Sequence, residues 1–233
     1  MGFMSDWKIE LNGDEGDMSF LETLLAKSPY NIETDGPFKR LNLPAVAPDA
    51  DSETVRSAAA QLVEVVNGAA RLYYKRFGGV RFSQVTILDS DGKRRGYGYL
   101  TARARNHTLT AVSSADQTMA SWVSLALADT EVSRALGLYG ALEPNWKNLY
   151  MVLEVIEDDL GGEAQLKSSG FLQAGHLDAF KHTANSYNAV GRETRHATLS
   201  REPPAKPMSI TEAREFVQDL LRAWLRSKQP QSA

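Results

Sequence analysis

The spacing of apolar residues changes near residue 113, and this change constrains the fold more than any other feature. Before it, short segments alternate apolar and polar residues, which is typical of half-buried strands. After it, apolar residues recur only at intervals of three and four, as on one face of a helix. The sequence therefore predicts an α+β fold, with a small antiparallel sheet and helices in residues 1–113 and an all-helical bundle in residues 114–233. No linker rich in Pro, Gly or Ser divides the two parts, so we expect them to pack closely.

Local signals in the first part predict both hairpins and helices. Asp35-Gly36 and Asp91-Gly92 each lie between alternating segments, and this dipeptide favours tight hairpin turns. One helix carries Phe20 to Leu25 and is expected to be capped by Asp17 or Ser19; a second begins at Asp51 or Ser52. The predicted strands are 6–12, 30–33, 38–43, 82–87, 97–101 and 107–112.

The second part contains only helical patterns. A capping box, Ser209 followed by Glu212, begins the last and clearest helix. Pro144 suits the first turn of another, which Gly161-Gly162 ends, and we expect the final residues 227–233 to fray. The other predicted helices are 114–128, 130–139 and 176–187.

Composition excludes several classes of protein. Lysine and arginine number 26 against 29 acidic residues, so the net charge of −3 argues against coating nucleic acid by bulk electrostatics. The absence of cysteine removes disulfides, thiolate nucleophiles and cysteine-based metal sites. No apolar segment approaches the length of a membrane helix, and residues 1–10 do not resemble a signal peptide. We therefore expect a cytoplasmic protein without membrane contact.

A polar cluster late in the helical part is the main candidate for chemistry. It consists of Asn185, Arg192, Arg195 and His196. Histidine can exchange a proton near neutral pH, and the planar guanidinium of arginine can hold a phosphate through two hydrogen bonds. Cleavage of RNA by its own 2′-hydroxyl needs both groups. His196 would be the acid or base, Arg192 or Arg195 would bind the phosphate, and Asn185 would orient the imidazole or the substrate.

The order of helices around this cluster, over residues 114–228, resembles that of HEPN proteins. The resemblance implies a helical bundle, a dimer formed through it, a prokaryotic or phage origin, and metal-independent RNA cleavage by an arginine–histidine pair. Three residues separate Arg192 from His196, one fewer than in the family's motif, and Arg195 is adjacent to His196. A member with this spacing could lack the nuclease activity.

The same cluster has a structural interpretation. Arg192 and Arg195 would then pair with Glu193 or with the acidic residues Glu154, Glu157 and Asp158. His182, Asn185 and His196 would satisfy backbone groups at helix ends. The alternative function that follows is a non-catalytic interaction or sensor module that binds a protein partner.

Two further candidates involve charge. Arg94, Arg95, Arg103 and Arg105, interleaved with Tyr97 and Tyr99, could bind a nucleic-acid backbone and stack bases. Residues 1–113 hold 14 basic and 14 acidic residues, however, and charges near a hairpin also keep a sheet edge solvated. The run Glu154, Glu157, Asp158 and Asp159 is expected to face solvent, because it occupies the positions that the apolar stripe leaves.

Metal ligation is the last possibility. His176, Asp178 and His182 carry suitable donor atoms, but their spacing does not place all three on one helical face. We therefore predict no metal site and no cofactor.

Overall fold

A computed structural model describes residues 7–44, 46–88, 94–98, 118–140, 145–194 and 202–229. The chain separates into two compact units, residues 1–124 and 125–233. The five strands and the helices confirm the predicted α+β class. The boundary at residue 113 and the close packing of the two parts stay predictions.

The first unit is built on an antiparallel sheet. Its strands are β1 (Lys8–Asn12), β2 (Ile32–Asp35), β3 (Phe38–Asn42), β4 (Arg81–Leu88) and β5 (Arg94–Gly98). Their order is β2-β3-β1-β4-β5, so the first strand joins the two predicted hairpins in the middle of the sheet. The predicted strand 107–112 lies outside the described residues.

Two helices accompany the sheet, α1 (Glu15–Leu25) and α2 (Ser52–Tyr73). Asp51 caps α2 as expected, because its carboxylate accepts from the backbone N–H of Glu53 and Thr54 at 2.9 Å. The predicted cap of α1 was wrong. Asp14 accepts from Gly16 N at 2.8 Å instead, and Asp17 lies inside the helix with 1% of its surface exposed.

Alternation along the strands produces an apolar face and a polar face. On the apolar face, Ile9 pairs with Leu41 on one side and Val85 on the other, and all three are fully buried. On the polar face, the Glu10 carboxylate accepts from Ser83 Oγ at 2.9 Å and Gln84 Nε2 at 2.8 Å. The sheet therefore follows the period-2 pattern expected from the sequence.

Buried polar side chains attach the segment before β4 to both helices. Asp17 Oδ2 accepts from Gly78 N at 3.0 Å and Gly79 N at 3.1 Å. Asn67 exchanges two hydrogen bonds with the backbone of Val80, and Arg71 Nη2 donates to Gly78 O at 3.0 Å. Nothing in the local sequence pattern indicated this arrangement.

Helix α3 (Thr118–Ala128) follows, and Met119, Trp122, Val123 and Ala126 are buried as their spacing predicts. Residues 114–117 of that predicted helix lie outside the described residues. The remaining elements of the second unit are α4 (Thr130–Gly140), α5 (Trp146–Leu160), α6 (Glu163–Ser168), α7 (His176–Ala184), α8 (Tyr187–Val190), a 3₁₀ turn (Gly191–Glu193) and α9 (Ile210–Lys228).

Helix α5 is central to the second unit, since it packs against α4, α6, α7 and α9. Its core side chains Leu149, Val152, Leu153 and Ile156 are fully buried. Asn145 caps it by accepting from Asn148 N at 3.1 Å. The helix ends at Gly161, as predicted, and this glycine adopts the left-handed conformation. Pro144 lies outside the described residues.

The last helix begins with the predicted capping box. Ser209 Oγ accepts from Glu212 N at 3.2 Å, and Glu212 Oε2 accepts from Ser209 N at 2.7 Å. The helix continues to Lys228, so the expected fraying from residue 227 was wrong for residues 227 and 228. Across the described part of the chain, every helix is too short or too polar to cross a membrane.

Candidate functional site

Buried polar side chains at the C-terminal turn of α7 form hydrogen bonds to other segments of the second unit. Thr183 is fully buried; its hydroxyl donates to Ala179 O at 2.8 Å and accepts from Met208 N at 3.0 Å. The segment that leads into α9 is therefore attached to α7 by a hydrogen bond from its backbone to the buried Thr183 hydroxyl.

The described residues on either side of the gap at 195–201 are also attached to α7. Thr194 Oγ1 donates to Ala184 O at 3.1 Å. On the other side, His182 Nε2 lies 3.0 Å from Glu202 O. These two contacts attach the chain to α7 on both sides of the predicted catalytic residues Arg195 and His196.

Asn185 ends α7 and has only 6% of its surface exposed. Its Nδ2 donates to Lys181 O at 2.8 Å and to Tyr150 O–H at 3.4 Å, so the amide connects α7 to α5. Its Oδ1 is buried and has no hydrogen-bond partner among the described residues. The side chain expected to orient a substrate is thus a buried helix cap.

The predicted helix 176–187 was wrong in its end point. The helix stops at Ala184 because Asn185 adopts φ −92° and ψ 0°, and Ser186 is extended. Gly191 then has φ +60° and ψ −134°, a conformation that side chains strongly disfavour. His182 is exposed whereas Asn185 is buried, so the two do not share a surface.

Arg192 lies on the 3₁₀ turn, is exposed, and makes no ion pair with any described residue. Arg192 does not form the expected ion pair with Glu193. Glu193 Oε2 instead accepts from Trp146 N at 3.2 Å, at the N-terminus of α5. Arg195 and His196 lie outside the described residues. Their convergence with Arg192 stays a prediction.

A cavity of about 570 Å³ lies beside this turn, where the N-termini of α5 and α9 approach each other. Glu193 lines it together with Trp146, Ser209 and Arg214. Arg214 was not among the residues singled out from the sequence, since its position on the outer face of α9 resembles that of any solvated arginine.

The basic strand pair is described only in part. Arg94 begins β5, Arg95 is exposed, and Arg103 and Arg105 lie outside the described residues. The ring of Tyr97 stacks on Trp7 with centroids 6.1 Å apart, which leaves 36% of its surface exposed. Because that face is already covered, Tyr97 offers less area for a nucleic-acid base than the sequence suggested.

The three residues considered for a metal have separate partners. His176 lies edge-on to Phe216 at 6.3 Å, Asp178 pairs with Lys167 at 3.3 Å, and His182 contacts Glu202. Within the described residues, no group of three His, Cys, Asp or Glu side chains could hold a metal ion. His176 instead borders a cavity of about 420 Å³ between α7 and α9, with Phe171, Lys206 and Phe216.

The acidic residues of α5 were expected to face solvent, and two of them also bind side chains of other helices. Glu157 pairs with Lys181 of α7 at 2.5 Å. Asp159 accepts from Trp224 Nε1 at 2.9 Å and pairs with Lys228 at 2.7 Å, both on α9. These carboxylates connect helices that lie far apart in sequence, which an apolar periodicity cannot reveal.

The ion pairs around α6 shift the pKa of their members. Lys167 and Lys181 both approach Glu163 at 2.6 Å. Hydrogen bonds from Lys167 and then Lys181 lower the pKa of Glu163 to about 2. Burial lowers the pKa of Lys181, but its hydrogen bonds to Glu157 and Glu163 outweigh burial, so the pKa is raised. Glu163 therefore stays ionised near neutral pH.

A groove between α4 and α5, with a volume of about 420 Å³, borders this acidic region. We call it the α4–α5 groove. Leu138, Met151 and Val155 form its apolar part, and 47% of the surface of Met151 is exposed. Its charged lining consists of Arg134, Glu154, Glu157, Asp158 and Glu163. The groove therefore presents an exposed apolar side chain next to several carboxylates.

Comparisons with known proteins returned no match to this chain. No family model matches the chain, no curated protein matches it, and no solved structure matches it.

Proposed function

We propose that the protein is a non-catalytic interaction module that binds a protein partner through its helical unit. The observation that carries this proposal is the position of Asn185, which is buried and bonded to Lys181 and Tyr150. A side chain that must orient a substrate needs access to that substrate. An amide that caps α7 and joins it to α5 serves the packing of the bundle.

The contacts of Thr183 and Thr194 support the same proposal. The Thr183 hydroxyl hydrogen-bonds Ala179 O and Met208 N, and the Thr194 hydroxyl donates to Ala184 O. Leaving such buried backbone groups unpaired would cost about 1–3 kcal/mol each. Polar residues clustered at this turn therefore have a sufficient structural reason for their presence.

Metal-independent RNA cleavage by Arg192, Arg195 and His196 is the competing function. Incubation of labelled RNA with the protein in the presence of a chelator, beside His196→Ala, tests it. The proposal predicts no cleavage above background by either protein. Cleavage by the wild type that is lost in His196→Ala would overturn the proposal, whereas equal cleavage by both would come from a contaminating nuclease.

A homodimer formed through the helical bundle is the other partner that the sequence suggested. Sedimentation velocity over a range of protein concentrations measures it directly. The proposal predicts a monomer whose exposed helical surfaces are open to a different chain. A stable dimer would instead assign the exposed surfaces of the bundle to self-association.

A further inference from the structure

The α4–α5 groove combines an exposed apolar side chain with several carboxylates on one surface. Val152 and Leu153, which follow Met151, are fully buried, whereas almost half of Met151 is exposed. Single exposed apolar residues are common on proteins. Here, however, Met151 lines a concave surface with the partly exposed Leu138. Methionine adapts its shape readily and is frequent at surfaces that accept another helix.

The charged residues of the groove are arranged along the same line. Met151, Glu154 and Asp158 are separated by three and four residues, so they form one stripe along α5. The stripe extends over about 10 Å from the apolar side chain to the acidic end. A partner lying along this stripe would contact Met151 at one end and the carboxylates of Glu154 and Asp158 within two helical turns of it.

The acidic end keeps an excess of negative charge. Arg134 pairs with Glu131 at 2.7 Å, and Lys181 is already shared between Glu157 and Glu163. Asp158 makes no ion pair with any residue that the structure describes, and it is exposed. A cation supplied by a partner would find this carboxylate without a competing internal ion pair.

We propose that the α4–α5 groove binds a basic amphipathic helix of a protein partner, with an apolar side chain against Met151 and Leu138 and a lysine or arginine against Asp158. This inference rests on the proposed function, since it names the partner that the interaction module takes. Complementary charge sets the orientation of the helix, and burial of the apolar contact provides most of the affinity.

Fluorescence anisotropy with a short labelled peptide tests the proposal. The peptide carries two leucines three residues apart and lysines four and seven residues after the first leucine. We expect saturable binding to the full chain that weakens as salt is added, because surface charge pairs are screened. A peptide with glutamate in place of each lysine should bind at least about tenfold more weakly, because like charges repel.

Two substitutions and two matched controls locate the binding surface. Met151→Ala should weaken binding by about threefold to tenfold, an ordinary effect for a partly buried apolar side chain. Asp158→Asn should weaken it by about twofold to fivefold, as expected for an exposed charge pair. Leu127→Ala removes another exposed apolar side chain, and Asp219→Asn another exposed carboxylate, neither of which lines the groove. Both controls should bind like the wild type.

Several results would overturn the proposal. They are the absence of binding to the wild type, equal binding of the acidic peptide, and equal loss in the control variants. Dimerisation of the wild type that Met151→Ala abolishes would assign the groove to a second copy of the chain. Circular dichroism should show that all four variants stay folded, since each position is exposed.

The RNA assay keeps this inference separate from the proposed function. If neither the wild type nor His196→Ala cleaves RNA and the basic peptide does not bind, the interaction module stands and the proposed partner class is wrong. If cleavage depends on His196, the non-catalytic function is wrong whatever the peptide does.

Discussion

Asn67 and Val80 are joined by two hydrogen bonds between a buried amide side chain and the backbone. Asn67 Nδ2 donates to Val80 O at 2.9 Å, and Val80 N donates to Asn67 Oδ1 at 2.9 Å. Asn67 is 3% exposed, and Val80 immediately precedes β4. The Asn67 side chain therefore connects helix α2 to the backbone just before β4.

Replacing Asn67 with alanine should lower the free energy of unfolding by about 2–4 kcal/mol, because two buried backbone groups lose their partners. Urea unfolding measures the change. Asn12→Ala, at an exposed position in the same unit, should change stability by less than about 0.5 kcal/mol. Equal effects of the two substitutions would contradict the assigned role of Asn67.

Gly78 is required by its contact with Asp17. A Cβ atom at Gly78 would lie 2.8 Å from Asp17 Oδ2, closer than such atoms approach. Gly78→Ala should therefore destabilise the protein by about 1–3 kcal/mol, as overpacked sites do. Gly98→Ala is the control, since its Cβ would lie an ordinary 3.6 Å from Gln84 Cβ. A neutral Gly78→Ala would show that Asp17 is not fixed at this loop.

The sequence predicted those features whose partners are close in the chain. Ser209 and Glu212 are three residues apart, and the capping box that they form could be recognised from the sequence. Asp17 was assigned to the helix end for the same local reason, yet its partners Gly78 and Gly79 lie about 60 residues away. Local propensity cannot reveal a hydrogen bond that forms only when the fold brings the two segments together.

The helical unit shows the same limit. Apolar periodicity assigned α5 correctly, and it placed Asp159 on the outer face. It could not indicate that Lys228 and Trp224 would meet this carboxylate from α9. Asn185 was treated as a catalytic candidate because a polar residue near arginines and a histidine has the same sequence pattern whether it is exposed or buried.

Lys228 connects three helices of the second unit. It approaches Asp129, which precedes α4, and Asp159 of α5, each at 2.7 Å. Lys228→Met should lower the free energy of unfolding by about 1–2 kcal/mol, because charged hydrogen bonds that are partly buried are lost. Lys147→Met, at an exposed position on α5, should have little effect.

The pH dependence of this contribution has a defined sign. Burial lowers the pKa of Lys228, but hydrogen bonds to Asp129 and Asp159 outweigh burial and raise it above the ordinary 10.5. The stabilisation is therefore complete below about pH 10.5 and is lost as the pH rises through the folded pKa. Above neutral pH, the difference between the wild type and Lys228→Met should persist until strong alkali; a loss near pH 8 would contradict the ion pairs.

Glu163 should titrate at an unusually low pH. Its pKa is lowered from 4.5 to about 2 by Lys167 and Lys181, so its stabilising effect is complete above about pH 4.5 and is lost as the pH falls through about 2. Carboxyl NMR chemical shifts followed against pH should give a midpoint near 2. Lys167→Met should raise that midpoint, and a wild-type midpoint near 4.5 would show that the cluster does not form in solution.

The most direct test of the structural role of Asn185 is the stability of Asn185→Ala. Its amide links Lys181 and Tyr150, so its loss should reduce the free energy of urea unfolding by about 1–3 kcal/mol. Asn188→Ala, an exposed asparagine three residues away, should leave stability unchanged. Wild-type stability of Asn185→Ala would contradict the account and return Asn185 to the candidates for catalysis.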